Sequence, residues 1–86
     1  MNSDEIKKQF MQIFVAVNNF NLDSYSDNDI DAIKPFLERF NNIYTNHANE
    51  LEEVLFREGC DSSSFVHQVW EIEDIVKNVE TRRSYQ

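Results

Sequence analysis

Residues 26–59 read SDNDIDAIKPFLERFNNIYTNHANELEEVLFREG. Within them Ile30, Ile33, Leu37, Phe40, Tyr44, His47, Leu51 and Val54 recur at alternating spacings of 3 and 4, the signature of one long amphipathic helix. The remaining segments then read as elements packed onto it. Ser26 is a good N-cap with Asp29 three residues on, and Asp27, Asp29 and Asp31 gather at the positive end of the dipole. Gly59, the only glycine, follows Leu55 and Phe56 and suits the left-handed residue that ends a helix.

Two positions interrupt the pattern. Pro35 removes a backbone hydrogen bond to Asp31 and disfavours α geometry at Lys34. Its ring falls about 160° from Leu37, on the solvent face, which predicts a kink rather than a stop at Ile33. Thr45-Asn46-His47-Ala48-Asn49 is the second weak point, with Asn49 and Glu52 spaced as a capping box. Unbroken, the helix covers about residues 27–58 and reaches roughly 48 Å, an overhang that implies a dimer. Broken near 46–49, it gives a fourth, short helix.

On the N-terminal side, Asn2 and Glu5 have capping-box spacing, and Ile6, Phe10, Ile13, Phe14, Val17 and Phe20 share a stripe of roughly 120° on a helix over about 3–20. Met11 and Val15 fall outside that stripe. A helix this apolar all round is either the centre of a bundle or meets a partner chain. Asn18 to Ser26 is a polar linker, with Leu22 and Tyr25 expected to fold back as lids on the core. On the C-terminal side, Cys60 to Ser64 is a second linker, one of whose serines is expected to cap a last helix over about 64–82. Its stripe is Phe65, Val69, Ile72, Val76 and Val79.

Composition agrees with this reading. At 86 residues there is room for one domain, 41% hydrophobic, and one Gly and one Pro are too few for a β-rich chain. The expected fold is all-α: a single antiparallel bundle of three helices, or four, built on one long central helix kinked near Pro35. A lone cysteine excludes an internal disulfide, the start Met1 to Glu5 lacks a basic leader, and a cytoplasmic setting is expected.

The net charge is −8 and uneven. Residues 27–61 hold nine acids and three bases, against a balance of −1 on either side. Such a surface repels nucleic acid and anionic membrane and attracts basic proteins.

No cofactor, metal or catalytic constellation is expected. His47 with Glu50 at i+3 has a spacing seen in carboxylate–histidine metal sites, but only His67 and Cys60 remain to complete one. Cys60 lacks an identifiable base. The candidate partner-binding residues are instead Asp31, Glu38, Glu52 and Glu53, expected within about 100° of one another opposite the apolar seam, together with Trp70 and Glu73. Trp70 lies off its helix's stripe, either closing the core's edge or standing out as an aromatic anchor among Glu71, Glu73 and Asp74.

In size, acidity and helicity the chain is similar to the colicin nuclease immunity proteins, with a further point of likeness in the Ser-rich entry from Asp61 to Val69. The Tyr-Tyr-Pro segment those proteins set against their nuclease has no counterpart here. The expected function is a small protein that masks a basic, for instance nucleic-acid-binding, partner, as an immunity protein, antitoxin-like inhibitor or phage-encoded inhibitor of a nucleic-acid-processing machine does. The alternative is a self-associating scaffold or secretion-chaperone-like adaptor, a homodimer joined through Met11, Val15 and the overhang.

Overall fold

The computed structural model describes residues 2–85, which form four helices and no strand: α1 (Ser3–Asn19), α2 (Asp27–Tyr44), α3 (Ala48–Arg57) and α4 (Ser62–Ser84). No helix among the described residues is long and apolar enough to cross a membrane.

Each boundary has a local cause. The Asn2 side chain accepts from Glu5 N–H at 2.8 Å and starts α1. Ser26 and Asp29 form a complete capping box at the start of α2, each side chain accepting from the other's backbone N–H at 3.2 and 2.9 Å. In the first linker Asn21 accepts from Asp23 N–H at 2.9 Å. Leu22 packs on the core, and Tyr25 stays exposed while stacking on Phe20 at 5.6 Å.

The long helix is divided. α2 ends at Tyr44, and α3 begins after His47, whose side chain makes no capping bond. The Asn49–Glu52 box is therefore not the start signal, and Asn49 lies inside α3. At 18 residues α2 is about 27 Å long, so the overhanging rod and the dimer argued from it lose their basis. Pro35 sits inside α2 without ending it. α3 closes in a Schellman motif: Gly59 adopts φ +68, its N–H donates to Phe56 O at 3.1 Å, and Cys60 N–H reaches Leu55 O at 2.9 Å. The cap of α4 is Asp61 rather than a serine, accepting from Ser64 N–H at 3.0 Å. A carboxylate there also meets the positive end of the helix dipole.

α1 is the central element. It packs most extensively on α2 and α3 and also touches α4, whereas α2 and α3 touch each other least. Ile6, Phe10, Ile13 and Val17 are completely buried. Phe10 meets Phe40 edge-on at 6.3 Å, Phe40 meets Phe65 at 6.0 Å, and Phe14 lies 5.8 Å from Phe65. One aromatic cluster thus ties α1, α2 and α4 together. Toward the end of α2 the buried set shifts by one residue: Ile43 is buried and Tyr44 only partly so, its ring stacked on Phe40.

A candidate docking groove between α3 and α4

The division of the long helix separates the acidic row. Asp31 and Glu38 belong to α2, Glu52 and Glu53 to α3, so the four do not share one rigid face.

Two of them are engaged inside the molecule. Asp31 accepts from Arg83 at 3.0 Å and lies 3.7 Å from Lys34. The hydrogen bond from Arg83 lowers the Asp31 pKa, opposed by desolvation and backed by the charges of Arg83 and Lys34. Lys34 also binds Glu80 at 2.7 Å, which raises its pKa. Glu53 holds Lys7 at 2.9 Å and Arg57 at 3.4 Å, and the hydrogen bond from Lys7 lowers its pKa. Glu73 accepts from Asn41 at 2.9 Å, and with Glu38 it lines a hollow between α2 and α4 that also holds Lys34 and Lys77. Glu38 and Glu73 thus face a locally mixed charge.

Glu52 and Trp70 are brought together. Both line a groove of about 290 Å³ where the end of α2, α3 and the start of α4 converge. Leu51 and Val66 contribute buried apolar surface, and Tyr44, stacked on Phe40 at 4.9 Å, and His67 complete the aromatic lining. The His67 ring lies 6.2 Å from that of Trp70. Trp70 is 52% exposed and does not close the core. Glu71 and Asp74 are exposed on the same helix.

The sequence pattern placed Tyr44 in the seam and joined neither it nor His67 to Glu52. The missing information was the turn at Thr45–His47, which brings one side of α3 against α4.

Elsewhere, His47 Nδ1 stands 3.7 Å from Glu50. Among the described residues no group of three His, Cys, Asp or Glu side chains could hold a metal ion. Cys60 is a partly buried free thiol whose Sγ lies 3.6 Å from Asp61 O. A second feature is apolar. Met11, Val15, Ala16 and Phe36 line a shallow patch between α1 and α2, with Val15 50% exposed, and Arg39 lies over the Phe36 ring at 5.6 Å while bonding Gln12 at 3.2 Å.

Compared with protein families, curated proteins and solved structures, the chain matches none.

Proposed function

We propose that this chain is a small, acidic, cytoplasmic binding module that docks a basic protein across α3 and α4 and masks its surface. Such proteins serve as immunity proteins, antitoxin-like inhibitors or inhibitors of nucleic-acid-processing machines. One observation carries the reading: Trp70 is half exposed beside Glu52, and neither Glu52 nor the exposed Glu71 and Asp74 that follow Trp70 on α4 has a cationic partner among the described residues. An exposed tryptophan supplies apolar contact area, and carboxylates around it select a cationic surface and speed its approach. A net charge of −8 extends that steering and disfavours nucleic acid or anionic lipid as the direct ligand.

The test compares wild type with Trp70→Ala and Glu52→Lys as bait at low salt, followed by a salt wash. Retention of a basic protein by wild type, its release by salt and its loss with both variants support the reading. Retention that survives the wash and ignores both variants overturns it.

The Val15 patch favours a second reading, self-association through α1 and α2. Light scattering at high protein concentration decides it: a dimer that Val15→Glu dissociates supports it, and a monomer removes it.

A further inference from the structure

We infer that the groove between α3 and α4 seats a single arginine side chain of the basic partner; this deepens the function proposed above and rests on it. Among the described residues Glu52 is the only carboxylate that lines the groove, and neither Lys nor Arg joins it. The cations that reach α3, Lys7 and Arg57, both pair with the adjacent Glu53, leaving Glu52 without a cation among the described residues. The negative charge is therefore free to meet one from outside.

The walls narrow the choice of cation. Tyr44 is held by its stack on Phe40 at 4.9 Å, and Trp70 offers a half-exposed indole, so two aromatic side chains border the same space as the carboxylate. A guanidinium is planar and weakly hydrated, and it can lie against an aromatic face while donating two parallel hydrogen bonds to a carboxylate. A lysine ammonium keeps its water more tightly and cannot form that fork. The buried Leu51 and Val66 supply apolar surface for the three-carbon stem. At about 290 Å³ the groove lies at the lower end of small-molecule pockets, which suits one long side chain rather than a folded segment.

The test uses two peptides of equal charge, acetyl-(Gly-Arg)4-amide and acetyl-(Gly-Lys)4-amide, titrated into the full chain at low salt. Trp70 is the only tryptophan, so its emission reports the groove directly. The arginine peptide is expected to change that emission saturably and to bind at least about fivefold more tightly than the lysine peptide. Glu52→Gln should weaken it by about fivefold or more, while Glu58→Gln, outside the groove, leaves it within about twofold. Both substitutions are at exposed positions, and circular dichroism verifies that each variant folds. Equal binding of the two peptides, lost in salt and indifferent to Glu52→Gln, overturns the arginine seat but leaves general acidic docking standing. Failure of both peptides, with no basic protein retained in the pull-down, overturns the seat and the function together.

Discussion

The Arg83 guanidinium, in the last turn of α4, donates to the Asp31 carboxylate at 3.0 Å and also lies 3.4 Å from Asp27. It joins the first turns of α2 to the last turn of a helix about fifty residues away in sequence. Because the contact lowers the Asp31 pKa, the unfolded chain binds this proton more readily than the folded one. The stabilisation is complete above the ordinary aspartate range and fades as pH falls through the lowered value. Arg83→Gln should therefore reduce the melting temperature slightly at neutral pH and low salt. The difference should shrink in molar salt and vanish on strong acidification, where wild type and variant melt together. Thermal melts at two salt concentrations across the acid range measure this.

Phe40 touches aromatic rings from three directions: Phe10, Tyr44 and Phe65. Phe40→Ala should cost about 3–5 kcal/mol, enough to unfold a marginal domain of this size. Phe56 is 85% exposed, and Phe56→Ala should stay within about 0.5 kcal/mol of wild type. Urea denaturation followed by circular dichroism separates the two.

The identity of the α4 cap is open to a direct comparison. Asp61→Ala removes the acceptor for Ser64 N–H and should destabilise by about 1 kcal/mol. Ser63→Ala removes no hydrogen bond of the cap and should be near neutral. Equal losses from both would transfer the cap to the serine run.

Pro35 occupies the ninth position of α2 on its exposed side. Alanine there restores the N–H that can donate to Asp31 O and removes the ring's conflict with that carbonyl, so Pro35→Ala should stabilise by roughly 1–3 kcal/mol. Unchanged or lower stability in urea would mean that the surrounding packing depends on the ring.

Much of this architecture was legible in the sequence. The α1 and α4 stripes, the Ser26–Asp29 box and the Gly59 stop follow from spacing and from the chemistry of single residues, and those are local properties. The break at Thr45–His47 was hidden because the 3-and-4 pattern continues across it: His47 falls where a seam residue belongs, although it lies between two helices. The Asp61 cap was masked by three adjacent serines that could have served. Of the candidate site, Glu52 was readable as exposed and Trp70 only as either the core's edge or an exposed anchor, and their meeting depends on how α3 lies against α4. The engagement of Asp31 and Glu53 depends on Arg83 and Lys7, partners on other helices that no helical wheel displays.

The central place of α1 has a consequence for motion. α2 and α3 touch each other little, and each is braced chiefly by α1, which acts as a splint across their joint. Bending at Thr45–His47 therefore has to peel one of the two helices away from Ile6, Phe10, Ile13 and Val17, whose burial opposes it. α3 is the shorter arm at ten residues, and it carries Leu51 and Glu52. Loosening of α1 would thus reach the groove as a change of shape, and a partner seated there would in turn hold α1 in place.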